Sequence, residues 1–171
     1  MGIKRIINQG LARLAARWPA LSDRMVASFK PLEMASVPWT AVTKPLDQST
    51  ITLVTTAGLH HNGQEPFNMQ DDQGDPSFRV IDTQTIENDY KITHDYYDHR
   101  DADQDLNIVF PITRLKEMQA AGCIGAVAEE HFSLMGHIDG PHVQTLINRT
   151  APRIARRLRD AGADYVLLTP A

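Results

Sequence analysis

From the amino end, apolar residues recur at steps of four and three: Ile3, Ile7, Leu11, Leu14, Trp18 and Leu21. That spacing puts them on one stripe of an α-helix. Pro19 lacks the N–H a helix interior needs, so two helices are expected. Prolines at 31, 38 and 45 then predict an extended linker. Ile51–Thr56 alternates β-branched and apolar side chains and predicts a buried strand. It ends in Ala57-Gly58-Leu59-His60-His61, and a loop rich in Asn, Asp, Gly and Pro runs from 62 to 77. Short strands are expected at 78–81 and 90–94, followed by an acidic, histidine-bearing loop to about Asn107.

Pro111 suits the first turn of a helix carried on by Ile112, Leu115 and Met118, with Gly122 as its C-terminal cap. Residues 124–135 have no clean period and stay unassigned. Thr150 reads as the N-cap of a helix through Ile154 and Leu158 that Gly162 ends, and Tyr165–Leu168 as a last strand. Strands alternating with helices predict an α/β fold: a mainly parallel sheet, flanking helices and an N-terminal helical arm. The expected division is an arm and linker at 1–37 and an α/β domain at 38–171. Ligands of such sheets sit beyond the carboxyl ends of the strands. That rule points to Gly58–His61, the surroundings of His94 and Thr169–Ala171.

Composition narrows this picture. The net charge of −4 offers no basic excess for nucleic acid. The arm alone is basic, with Lys4, Arg5, Arg13, Arg17, Arg24 and Lys30. Such a helix can lie on an anionic membrane. Ordinary surface helices show the same stripe, so packing on its own domain or on a twin subunit is expected instead, and with it a homo-oligomer. No apolar run approaches a membrane span, and no signal peptide is read. One cysteine, Cys123, excludes an internal disulfide and a Cys-x-x-Cys motif, and fits a cytoplasmic protein.

Several ordered strings carry a resemblance. They are Leu53-Val-Thr-Thr-Ala-Gly-Leu-His60, Gln64-x-Pro66-Phe67, Gly74-Asp-Pro-Ser-Phe-Arg79, His94-x-x-Tyr97-Asp98 and Asp105-x-Asn107-x-Val109-Phe-Pro111. Gly122-x-Ile124-Gly125 and His131-x-Ser133-x-Met135-Gly136 follow. Over residues 38–171 the chain resembles the glycine/sarcosine/betaine/D-proline reductase selenoprotein B family, in its short D-proline-reductase-like form. The resemblance implies reductive cleavage of a C–N bond α to a carboxylate. A pyruvoyl group of a partner subunit would hold the amine, while a selenol or thiol attacks carbon and a second thiol resolves the adduct. Family members carry that Cys or Sec motif just after a strand like Val166–Pro170, and this sequence stops at Ala171. Natural loss of the motif is the reading favoured; an early end, or a selenocysteine codon read as stop, would leave the same sequence. Cys123 follows a helix end rather than a helix start, the wrong place for an activated thiolate, and it reads as a packing residue.

The retained strings make His94, Tyr97, Asp98 and His131 candidate catalytic residues. Thr56, Gly58, Arg79 and Ser133 are candidates for holding substrate, Arg79 and Arg114 because a guanidinium grips a carboxylate through two parallel hydrogen bonds. A Ser133–His131 nucleophile lacks the glycine-flanked elbow. His60, His94 and His99, among the aspartates at 95–105, form a ligand set that suits Zn, Fe, Mn or Ni, although no diagnostic spacing is present. Asp101, Asp103 and Asp105 alternate as in a calcium loop, but the required glycine and glutamate are missing. The expected function is a reductase-like enzyme or reductase subunit acting on a small amino- or nitrogen-containing acid, with its thiol from a partner subunit or a dithiol. A metal-dependent enzyme in the same cleft and a non-catalytic subunit of a reductase complex are the alternatives.

Overall fold

The computed structural model describes residues 3–27, 40–84 and 89–171. The arm forms α1 (Ile3–Arg17) and α2 (Pro19–Ala27), broken at Pro19 as expected. The boundary expected at 37 lies outside the described residues. Ile7, Leu11, Leu14 and Trp18 of the stripe are exposed. The arm instead reaches the body through a polar contact, Gln9 Nε2 donating to Asp95 Oδ1 at 2.8 Å.

β1 (Thr50–Thr55) is the axis of the fold. Every residue after Thr50 is buried, as a strand covered on both faces requires. The stretch without a period resolves into two short strands, β5 (Ala126–Val127) and β6 (Glu130–Ser133). They pair in parallel with the start and the end of the same edge of β1. β7 (Tyr165–Thr169) pairs in parallel along the whole of its other edge. β3 (Arg79–Asp82) adds antiparallel to β6, so the sheet is mixed, with four of its five strands parallel. A separate antiparallel pair joins β2 (Leu59–His60) to β4 (Lys91–Ile92).

Alternate residues of the strands feed two cores. Ile51, Leu53 and Ile81 pack with Ile112 and Leu115 of α3 (Ile112–Ala120). Val54 and Phe132 pack with Ile154 and Leu158 of α5 (Ala151–Asp160) on the opposite face. Helices therefore flank both faces. The last helix begins earlier than expected. α4 (Pro141–Thr145) runs through a π-helical turn, Leu146–Thr150, into α5. Thr150 is therefore not an N-cap. It sits in mid-helix and its hydroxyl donates to the Pro76 carbonyl at 2.6 Å, tying the helix to the 62–77 loop.

Candidate functional site

The carboxyl ends of β1, β6 and β7 converge. Thr56 N donates to Thr169 O at 3.1 Å, Leu134 N to Thr55 O at 2.8 Å, and Ala171 N to the Thr56 hydroxyl at 3.0 Å. Gly58, at φ 70, turns the chain away from β1. Its N–H donates to Leu134 O and its carbonyl accepts from Thr93 N. A Cβ here would lie 2.6 Å from Thr93 O and 3.1 Å from the Cβ of His94, so only glycine lets the His94 segment come this close.

His94 is 3% exposed and forms the wall of this edge. Its Nε2 faces Gly136 N at 3.1 Å and its Nδ1 faces Tyr96 N at 3.2 Å. A Cβ on Gly136 would stand 3.1 Å from both His94 Nε2 and Ala171 O, so this glycine seats the ring against the end of the β7 segment. Tyr97 packs edge-on against the ring at 4.8 Å, and its hydroxyl donates to Ala57 O at 3.2 Å. Tyr96 stacks on His137 at 4.0 Å. Burial, then the nearby His137 and His99, push His94 down to about 4, while Asp95 opposes them. A neutral ring can accept from one of these two amide N–H groups, and a doubly protonated ring from neither. His94 is thus a neutral imidazole at pH 7. Burial raises the Tyr97 phenol well above its ordinary range, so it stays a donor.

Other candidates lie elsewhere. His131 is fully buried in mid-sheet. Where β5 gives way to β6, its Nδ1 replaces a strand carbonyl and accepts from Leu53 N at 2.8 Å. Its Nε2 reaches toward the Ala128 carbonyl without a good hydrogen bond, and burial pushes it down to about 4. Ser133 ends β6 beside Thr55, its hydroxyl buried without a hydrogen-bond partner among the described residues. Arg79 spends its guanidinium on the chain itself: on Glu65 O at 2.7 Å, Pro66 O at 3.1 Å, the Ser77 hydroxyl at 2.8 Å and Phe78 O at 3.2 Å, and it lies over the Phe67 ring. Arg114 pairs with Glu117.

Asp98 is held by Arg100 at 2.8 and 2.5 Å, which lowers it to about 2. It lines a cavity of about 210 Å³ with Gln9, Arg13, Tyr97, His99, Arg100 and Asp103. The arm is one wall of that cavity, and Gln9 and Arg13 were given no role from sequence. Nothing in the spacing of α1 marks them; only the fold brings them to the loop. Gly136, by contrast, stands in the His131–Gly136 string and was readable there.

The three metal candidates do not converge. His60 Nε2 bonds the Thr93 hydroxyl and its Nδ1 the His61 carbonyl, both at 2.8 Å. His99 Nδ1 bonds Asp103 at 2.8 Å. Among the described residues no three His, Cys, Asp or Glu side chains are placed to hold one ion. Cys123 is exposed on the turn before β5, hence at the amino edge of the sheet. The six residues of β1 separate it from His94 by roughly 20 Å at 3.3 Å per residue.

The family described as glycine/sarcosine/betaine reductase selenoprotein B matches residues 23–171. The chain belongs to that family. It is 40% identical over 131 residues to the D-proline reductase subunit gamma of Acetoanaerobium sticklandii, a stretch covering 77% of this chain and 52% of that one. It is 29% identical over 136 residues to the glycine reductase complex component B subunit gamma of Carboxydothermus hydrogenoformans, covering 78% of this chain and 30% of that one. The chain thus spans about half the length of one selenoprotein B relative and under a third of the other. No solved structure matches it. Among the described residues no helix is long and apolar enough to cross a membrane.

Proposed function

We propose that this selenoprotein B chain is a subunit of a reductase complex that cleaves the C–N bond α to a carboxylate in a small amino acid, using a thiol from outside these 171 residues. The observation that carries the reading is the separation just described. The polar side chains Thr56, His94 and Tyr97 lie at the carboxyl edge, and the one thiol lies exposed at the amino edge. The reaction needs two electrons. One thiolate displaces the amine from the α-carbon, a second thiol attacks that sulfur, and the carbon takes up a proton. The products are the deaminated acid, the amine and a disulfide, so two thiols are consumed per bond cleaved. On this reading the Thr56 hydroxyl and Tyr97 phenol orient the substrate, and His94, a neutral ring buried beside them, positions the Gly136 and Ala171 segments rather than taking a proton. The names of the two relatives, subunits of D-proline and glycine reductase complexes, support cyclic or simple α-amino acids as substrates.

The test combines the chain with the other subunits of the Acetoanaerobium D-proline reductase, D-proline and a dithiol. Light scattering reads assembly and mass spectrometry reads ring opening. Entry into the complex with ring opening that His94→Ala removes is expected. A chain that stays outside the complex refutes the reading. Assembly with turnover unaffected by His94→Ala makes it a non-catalytic subunit.

A further inference from the structure

A hollow of about 330 Å³ opens on the α5 face of the sheet, between the loop that leads into β3 and the helix running from Pro141 to Asp160. One wall is residues 75–78, and the other carries the stripe Thr145, Arg149 and Arg153. Steps of four keep these three on one face of the helix. The π-helical turn Leu146–Thr150 lies inside the stripe, and such turns are frequent at functional sites. The Thr150 hydroxyl, donating to the Pro76 carbonyl, holds the two walls together. Arg153 is steadied over the Phe78 ring, 5.5 Å from its centroid.

The charges around this hollow do not balance. Asp75 is its one carboxylate among the described residues, and it is already engaged. It accepts from the Asn68 and Ser77 amides and the Ser77 hydroxyl, and it faces Arg79 at 3.8 Å. Arg79, Arg100, Arg114 and Arg157 all have acidic partners. Arg149 and Arg153 have none among the described residues, and the Thr145 hydroxyl has no hydrogen-bond partner there either. Residues 141–160 hold five arginines and one aspartate in a chain of net charge −4, so positive charge is gathered on this helix.

We propose that the hollow binds a small molecule through a phosphate dianion. Two guanidinium charges without partners match two negative charges, whereas a single carboxylate would leave one unmet. Guanidinium groups offer parallel N–H pairs to phosphate oxygens, and the Thr145 hydroxyl supplies a further donor. Pro76 and Phe78 give the hollow an apolar side for the organic part of a phosphate ester. Free phosphate and a phosphate ester share this chemistry. Nothing here draws on the thiol chemistry proposed above, so either can fail without the other.

The experiment titrates the chain by calorimetry at about pH 7.5 and fixed ionic strength, where both phosphates are mainly dianions. The probes are inorganic phosphate, glycerol phosphate and succinate. Saturable binding of the phosphates with a dissociation constant of about 1 mM or below is expected. Tighter binding of glycerol phosphate identifies an ester as the source, and equal or tighter binding of inorganic phosphate identifies the free ion. Arg149→Gln and Arg153→Gln should each weaken binding about tenfold or more. Both side chains are exposed, so the melting temperature should not change. Arg156→Gln, on the same helix but outside the hollow, should bind as the parent does. No saturable binding up to about 20 mM overturns the proposal. So does binding that Arg149→Gln and Arg153→Gln leave intact. Equal weakening by Arg156→Gln would mark general attraction to a basic helix, and succinate binding as tightly as phosphate would mark a site for any dianion; each overturns it as well.

Discussion

Two deeply buried histidines together should cost this domain about 4 kcal/mol of stability between about pH 7.5 and pH 5, and half of that loss should be traceable to the one inside the sheet. His131 is fully buried and has its pKa lowered from 6.5 to about 4, chiefly by burial. His94, 3% exposed, is lowered to the same value. The sign follows from proton counts. Below 6.5 the unfolded chain takes up a proton at each imidazole and the folded chain does not, so stability is complete above 6.5 and is lost as pH falls toward 4. For that shift the loss at about pH 5 is roughly 2 kcal/mol per histidine, a large share of the 5–15 kcal/mol of an ordinary domain. His131→Gln separates the two contributions. Its amide oxygen can still accept from Leu53 N, and it does not titrate. Urea unfolding at the two pH values should show the variant losing about 2 kcal/mol where the parent loses about 4. A variant whose pH dependence equals the parent's would refute the assignment of His131 as a neutral acceptor inside the sheet.

Arg79→Ala should cost roughly 2–3 kcal/mol, because four hydrogen bonds that hold residues 65–78 are lost, and limited proteolysis should then cut that loop first. Lost substrate affinity with the loop still protected would instead favour its carboxylate-holding role. Gly136→Ala should lower turnover in the reconstituted complex about tenfold or more with little change in melting temperature, since the added methyl displaces the His94 ring or the Ala171 carbonyl. Cys123→Ser should leave both turnover and thiol consumption unchanged, as its place at the amino edge demands.

Long, strongly patterned elements were legible in the sequence. The arm, β1, α3 and β7 fall where periodicity and proline or glycine punctuation put them. β5 and β6 were not, because each is too short to show a period and Ala128–Glu129 interrupts them. The start of the last helix was missed for a different reason. Its π turn shifts the phase of the apolar positions, and Thr150 ahead of Pro152 imitates a cap. At the candidate site, the strand-end rule pointed to Gly58–His61, His94 and Thr169–Ala171, and Gly58, His94 and Ala171 do meet at that edge, since backbone direction decides which residues reach it. Residue type could not tell His94 from His131. One ring packs against Gly136 at the strand ends and the other stands in for a missing carbonyl, and only the break between β5 and β6 distinguishes them.

The position of β1 also shapes how the protein is made. All its sheet partners come late in the chain, about 75 to 115 positions after it. When β1 leaves the ribosome it is an apolar ribbon with both edges open, and it stays so until the segments from Ala126 to Thr169 have been synthesised. Folding must therefore begin with local pieces such as α3 and the Pro141–Asp160 helix, and the sheet closes last, through slow long-range pairing. In that interval the nascent chain is most exposed to aggregation. Expression yield should thus respond more to translation speed and chaperone supply than to the final stability of the domain.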